Sequence, residues 1–387
     1  MKNDNFSCEN CGGMMRFDSR TQSLKCENCG TEKELPRTLT WERHRLNEYD
    51  HLLKNEKNDD ITIVECQSCG ATIEMDPHIS SGKCPYCNSN IVISEKAVSL
   101  LEPDGLRPFG IDQRDVGRIF SNWVKKRWFA PNALKTLYQA GKIMGIYLPY
   151  WSFDNNADCN YTALGGIDRT ETYYEDGKEK TRIVTDWYSV RGNVQNDFKN
   201  IIMRASKSLK DNLLKSLGGF DLENTINFDT GYLSGYASEI FQIPMPDGYV
   251  EAKEVMENEL EGMVESDVLR KYDRVKNVSM NIYWSDEFYR LLMLPVYSTS
   301  YSFNGKSYQV LINGENGTVV GEYPKSVIKI TLAIIAAIIV ICIVYFLFFK
   351  EYFCEREYTY EKNNENSFYG SISNFFYNHK CFCYKKL

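Results

Sequence analysis

Eight of the thirteen cysteines fall into four Cys-x-x-Cys pairs. Cys8 and Cys11 are followed by Cys26 and Cys29, and the spacing C-x2-C-x14-C-x2-C recurs at Cys66, Cys69, Cys84 and Cys87. A Cys-x-x-Cys turn sets two sulfurs on one side of a tight knuckle, and two facing knuckles offer four thiolates to one tetrahedral ion. Gly12, Gly30, Gly70 and Asn88 follow the second cysteine of each pair. These residue types tolerate a left-handed backbone, which turns amide N–H groups toward sulfur. The chemistry predicted is two four-thiolate sites. Zn2+ is the favoured ion at both, and iron is the alternative for such ligands. Redox pairs and disulfides are the competing readings. A redox pair opens a helix in a thioredoxin-like fold, and nothing around these cysteines resembles one.

Each site needs a small frame to hold its knuckles. Fourteen residues between pairs suit a short hairpin, with Met14, Met15, Phe17 and Leu24 in the first and Ile73, Met75 and Ile79 in the second. Modules of this size are too small to fold on apolar burial alone, so the ion is expected to supply the difference. We place the first zinc ribbon at residues 1–35, a helical linker at 36–60 and the second ribbon at 61–99. The linker helix is expected over Leu39 to Leu53, with His44 and His51 exposed on it rather than serving as ligands.

Residues 100–326 form a mixed globular domain. Asp112 is placed to cap a helix carrying Val116, Ile119, Phe120, Trp123 and Val124. Lys125, Lys126 and Arg127 end that helix, where cations suit its dipole; this is preferred to a membrane-surface or nucleic-acid patch. A further helix is expected from Pro131 to near Gly141. Residues 143–164 and Thr181–Gln195 read as strands. Phe198, Ile202, Ala205, Leu209 and Leu213 keep helical spacing, stopped at Gly218-Gly219. Val255, Met256, Leu260, Met263, Val264 and Val268 mark another amphipathic helix. Strands close the domain around Val278–Tyr283, Arg290–Phe303 and Ser307–Val320, with a hairpin tip at Phe303-Asn304-Gly305-Lys306. Leu148-Pro149-Tyr150-Trp151 and Leu294-Pro295-Val296-Tyr297 begin similar hairpins, which suggests an internal duplication.

Ile330 to Phe349 is an uncharged run of twenty residues. At 1.5 Å per residue it spans about 30 Å, the thickness of a bilayer core. We read residues 328–350 as a transmembrane helix and 351–387 as a short disordered tail without assigned function. No signal peptide is expected from MKNDNFSCEN, which lacks an apolar stretch. Basic residues are balanced about the span. Orientation therefore rests on the cysteines, which need a reducing compartment. The N-terminal domains are expected in the cytoplasm, on a single-pass protein of the cell membrane.

No nucleotide-binding G-x-x-x-x-G-K-[ST], H-E-x-x-H, G-x-S-x-G or G-x-G-x-x-G is present. Asp154 and Asp158 read as turn residues, Cys159 as a core thiol, and Trp123, Trp128, Trp151 and Trp187 as core. No catalytic residues are expected. Residues 1–100 hold 12 Lys+Arg against 16 Asp+Glu. That balance disfavours nucleic acid, whose binding rests on basic side chains.

The fold expected is thus α+β: two N-terminal ribbons, a central domain with antiparallel hairpins, and one C-terminal membrane helix. The two ribbons, Trp128-Phe129-Ala130-Pro131, the segment from Gly145 to Asp154 through Tyr147-Leu148-Pro149-Tyr150-Trp151, and Asn313 to Gly317 leading to Gly321–Ser326 are together similar to bacterial membrane proteins of the TFIIB-type zinc-ribbon-containing kind. Some of these are labelled primosomal helicase-like. The resemblance implies zinc binding and a cytoplasmic domain on a membrane anchor. The expected role is a protein-interaction or scaffold module with a protein partner. The alternative is a nucleic-acid-associated helicase accessory. The motor's nucleotide-binding loop is missing here, as is the tryptophan usual after the second Leu-Pro.

Overall fold

The structure, a computed structural model, describes residues 6–39, 42–55, 63–66, 71–74, 81–84, 86, 89–92, 101–132, 143–209, 211–304 and 306–364. Two compact units divide the chain, Met1–Pro324 and Lys325–Leu387. In the first, β1 (Met15–Asp18), β2 (Ser23–Cys26) and β3 (Glu32–Glu34) form a three-stranded sheet, the predicted first hairpin. β4 (His44–Arg45) and helix α1 (Tyr49–Asn55) follow, then β5 (Ile63–Glu65), β6 (Thr72–Glu74), β7 (Ser81–Lys83) and β8 (Asn90–Val92) of the second ribbon. Next come β9 (Gly105–Leu106), α2 (Gln113–Lys125), β10 (Met144–Glu175), β11 (Lys178–Arg204) and the short α3 (Asp211–Ser216). β12 (Ile226–Asn227), β13 (Ala237–Glu239), α4 (Met245–Leu269), β14 (Arg274–Phe303), β15 (Lys306–Asn313) and β16 (Val319–Gly321) complete the unit.

The α+β class is observed, built on an eleven-stranded sheet. β10 is central and antiparallel to both β11 and β14. The two Leu-Pro motifs lie across from one another in this pair, with Leu148 opposite Leu294. Proline inside a central strand normally costs a ladder hydrogen bond. Here each proline falls where the far edge of its strand changes partner. β10 pairs with β13 at Ile146 and Tyr147, then with β11 from Tyr150. β14 pairs with β9 at Leu292 and Met293, then with β15 from Val296. The proline carbonyls remain in use: that of Pro149 accepts from the Ala205 amide at 3.0 Å, and that of Pro295 from the Gly314 amide at 2.9 Å.

Beyond this base, β10, β11 and β14 continue together as a three-stranded arm. β10 alone has 32 residues, about 100 Å of strand. One extra residue bulges each neighbour where the arm leaves the base. Asn200 of β11 and Asp286 of β14 take the left-handed conformation, with φ of 56° and 50°, as the register shifts beside Asp154 and Asn156. Asp154 and Asp158 are therefore strand residues, not turn residues. The Asp154 carboxylate steadies one bulge by accepting from the Asn200 amide at 2.7 Å. A third bulge lies at Asn277, φ 54°. Past the bulges, one face of the arm offers Ala157, Cys159, Tyr161 and Ala163 to Met256, Leu260, Val264 and Val268 of α4, all buried. Gly192 leaves room for the Tyr161 ring; a Cβ there would come within 2.4 Å of its oxygen. Tyr161 Oη donates to Asp267 of α4 at 2.5 Å.

Several expectations change. The linker helix shrinks to Tyr49–Asn55, because His44 and Arg45 are extended and pair with Tyr289 and Phe288 of β14. His44 is half-buried rather than exposed on a helix; His51 is exposed. Residues 198–204 are strand, not helix: Ile201 to Arg204 pair with Phe153 to Tyr150, and Phe198 pairs with Asn155. Only Asp211–Ser216 of that segment is helical. Trp123 and Trp151 are core and Trp187 is half-buried, whereas Trp128 is 74% exposed. Asp112 caps α2 as expected, accepting from the Arg114 amide at 2.8 Å. The helix expected from Pro131 falls largely outside the described residues.

Among the described residues the second unit holds one helix, α5 (Val327–Asn364). Ser326 opens it, its carbonyl accepting from the Ile330 amide at 3.1 Å. Val327–Leu347 is long and apolar enough to cross a membrane. The helix runs on to Asn364, so the start of the expected disordered tail is helical; residues 365–387 lie outside the described ones.

Candidate metal centre

The first ribbon brings Cys8, Cys11, Cys26 and Cys29 together, with all four sulfurs within 4.8 Å of one another. Cys8 and Cys29 approach to 3.5 Å, as do Cys11 and Cys26. Four thiolates about 2.3 Å from one tetrahedral ion stand about 3.8 Å apart, so this cluster fits a single metal ion. The knuckles are alike. The Cys8 amide donates to the Gly13 carbonyl at 2.7 Å and the Cys26 amide to that of Thr31 at 2.9 Å. Gly12 and Gly30 then turn back to the carbonyls of Cys8 and Cys26, with φ of 71° and 77° as the sequence predicts.

Donors around the cluster favour negative sulfur. The Asn10 amide holds the Cys8 thiol below its ordinary range. The Thr31 hydroxyl, 3.1 Å from Cys29 Sγ, brings that thiol down to about 6. The Gly13 amide acts likewise on Cys11, but the sulfurs of Cys29 and Cys26 outweigh it and leave that thiol pushed up to about 12. Four thiols this close resist full ionisation until a cation neutralises them. A bound Zn2+ would supply that charge and fix the two knuckles face to face.

Apolar contacts seat this ribbon on the central domain. The Phe17 ring lies 5.0 Å from Tyr232, and the Phe17 amide donates to the Ser234 carbonyl at 3.0 Å. Arg20 adds ion pairs to Asp112 and Asp115, each at 3.1 Å. Cys8 and Cys26 are buried, and Cys11 and Cys29 are exposed.

Of the second set, Cys66 and Cys84 are described and buried; Cys69 and Cys87 lie outside the described residues. The Cys66 amide donates to Ala71 at 2.8 Å and the Cys84 amide to Ser89 at 2.9 Å. Both bonds repeat the five-residue step of the first ribbon's knuckles. The Tyr86 amide also points at Cys84 Sγ, 3.4 Å away. This ribbon is joined to the domain through strand pairing, β6 with β13, and through a buried polar group that sequence reasoning missed. Glu239 of β13 is 2% exposed. It accepts from Tyr86 Oη at 2.5 Å and from Ser206 Oγ at 3.0 Å, and Ser208 Oγ contacts its other oxygen. Burial pushes its carboxyl up to about 7 against the pull of those donors. Nothing local marked it, because Tyr86, Ser206 and Glu239 are far apart in sequence.

A second polar cluster lies where the linker crosses the sheet. His44 Nε2 is 2.6 Å from Asp104 Oδ1, and the other oxygen of Asp104 accepts from the Leu291 amide at 2.7 Å. Nearby, Arg43 reaches Asp154 at 3.0 Å and the buried Arg290 contacts Asn200. Each carboxylate here is engaged with a backbone amide, which is how structural carboxylates are held. Cys159 is a buried core thiol, as expected, and burial pushes it up.

The chain is 26% identical over 332 residues to the uncharacterized protein YdjG of Bacillus subtilis (strain 168). That similarity covers 83% of this chain and 90% of YdjG, so it runs well beyond the cysteine pairs. No family model matches the chain. No solved structure matches it.

Proposed function

We propose that this protein is a membrane-anchored zinc scaffold that presents its central sheet to a protein partner in the cytoplasm, without catalysis of its own. One Zn2+ sits in each ribbon, on Cys8, Cys11, Cys26 and Cys29 and on Cys66, Cys69, Cys84 and Cys87. The sulfur cluster supports the first ion, and the repeated knuckle hydrogen bonds at Cys66 and Cys84 support the second. The apolar helix supports the anchor, and the need for reduced thiols supports a cytoplasmic N-terminus. Assignment to the TFIIB-type zinc-ribbon membrane proteins belongs to the same proposal and rests on the residues named above.

The observation that carries this reading is the arm. β11 pairs only with β10 among the described residues, so 27 residues of strand offer their outer edge. Such an edge is a template for β-pairing with another chain unless guarded. The test is crosslinking and co-purification from membranes with the detergent-extracted full chain. The variants are Cys26→Ser and a shortened hairpin in which 168–185 is replaced by a two-residue turn, keeping Ile167 opposite Asp186. Partners recovered with the wild type should be lost from the shortened arm and reduced by Cys26→Ser. The same proteins recovered from all three chains would refute the reading.

A further inference from the structure

We infer that the end of α2, Lys125 to Phe129, is a second membrane contact: a basic and aromatic patch that rests on the surface of an anionic bilayer. The inference starts from exposure. Trp128 is 74% exposed and Phe129 37%, while the preceding Trp123 and following Ala130 are buried. The two exposed rings stack on one another, with centroids 5.9 Å apart. Cations at a helix C-terminus account for Lys125, but they give no reason for a large apolar ring standing in water beside them. Tryptophan next to lysine is the pairing that suits the headgroup region, where the indole is half in hydrocarbon and the cation meets phosphate.

Charge points the same way. The protein carries a net charge of −7, yet Lys125, Lys126 and Arg127 stand in succession with no acidic residue from Val116 to Phe129; Arg118 is paired with Asp115 at 3.2 Å. Lys125 and Lys126 are exposed. An anionic surface is the complement of this stretch.

Covalent geometry places the patch near a bilayer if α5 spans one. Arg127 stacks its guanidinium 4.8 Å from the Trp123 ring and 5.7 Å from the Tyr323 ring. Trp123 meets Tyr323 edge-on at 6.1 Å. Tyr323 thus ties the end of α2 to the last residues of the first unit. From Tyr323 to Val327, the first residue of α5, four peptide steps reach at most about 14 Å. In any orientation of the two units, the residues tied to Tyr323 therefore stay close to where the apolar helix starts. This inference rests on the anchor proposed above.

The experiment is tryptophan quenching by brominated lipid, using the full chain in vesicles of brominated phosphatidylcholine and phosphatidylglycerol. None of the six tryptophans lies in α5, so quenching by brominated acyl chains reports on the first unit alone. Flotation of the chain with the vesicles checks the anchor separately. The expected result is loss of about one-sixth of the emission, the share of one tryptophan in six at interfacial depth. That loss should vanish in Trp128→Phe, which keeps an apolar ring at an exposed site. It should fall by half or more in Lys125→Glu/Lys126→Glu and in vesicles of phosphatidylcholine alone. A chain that floats with vesicles but shows no quenching, or equal quenching in Trp128→Phe, would overturn the inference. So would a Trp128 signal that answers to added DNA or RNA and not to lipid.

Discussion

The two ribbons share one cysteine spacing and one knuckle hydrogen bond, yet they join the molecule in different ways. The first packs against the domain without joining its sheet: Phe17 lies against Tyr232, Arg20 reaches two aspartates, the Phe17 amide donates to Ser234, and Cys8 and Cys26 share an apolar cluster with Tyr147 and Met293. The second is part of the central sheet through β6 and β13, and its Cys66 and Cys84 belong to the same apolar cluster as Leu148 and Leu294. Beneath it lies Glu239, a carboxyl that water does not reach. The same cysteine spacing thus occurs once in a hairpin laid against the core and once in a hairpin continuous with the central sheet. The difference is strand pairing: β6 pairs with β13, whereas β1 to β3 form a sheet of their own.

The largest expected consequence concerns stability. Cys84→Ser should lower the melting temperature of the detergent-solubilised chain by about 10 °C, and Cys11→Ser by about a third of that, since several kcal/mol of metal-linked stability in a domain this large shifts melting by a few degrees each. Equal shifts would dissolve the distinction between the ribbons.

A smaller effect should appear in pH dependence. The Glu239 carboxyl titrates near 7 when folded against an ordinary 4.5, so the folded state holds its proton more tightly. Its contribution is present in full below about 4.5 and is lost as pH rises to about 7. The stability of the wild type relative to Glu239→Gln should therefore fall across that window by up to about 3 kcal/mol. Chemical denaturation of both chains at several pH values measures this. A flat difference would mean that the second ribbon leaves Glu239 open to solvent.

The least effect belongs to the linker between the ribbons. Asp104 raises the pKa of His44 by accepting its hydrogen bond. That stabilisation is complete below the ordinary histidine value of 6.5 and disappears as pH rises through the raised one. His44→Gln should cost about 1 kcal/mol at about pH 5.5, with part of the pair's strength discounted for its exposure, and progressively less as pH rises through the raised value. A cost that does not change with pH would show that the histidine is held for its shape alone.

The four-cysteine cluster was legible because thiolate chemistry imposes its own spacing. Cys8 to Cys29 needed no tertiary information, and the glycine turns followed from backbone sterics. The arm was harder. The run of Asp154, Asn155 and Asn156 has turn composition, but those residues meet bulges, where Asn and Asp are also at ease. Phe198 to Met203 was misread for a related reason. Near the base the sheet is covered on both faces, with Ile202 toward one cluster and Ile201 and Met203 toward another. The bulge at Asn200 then shifts the alternation by one residue, and a strand interrupted in this way imitates helical spacing. Glu239 and its donors were invisible because no local pattern announces a contact between residues this distant in sequence.

The bulges have a further consequence. In strands of 27 to 32 residues, sliding by one step exchanges every inward side chain for an outward one. In the arm, such a slip would swing Tyr161 and Cys159 away from α4 and bring Asp158 and Asn160 beneath it. Asn200, Asn277 and Asp286 hold their positive φ at three fixed rungs, so a displaced pairing would set each left-handed residue against the wrong partner. They act as alignment stops, through which a long ladder can zip closed in only one frame.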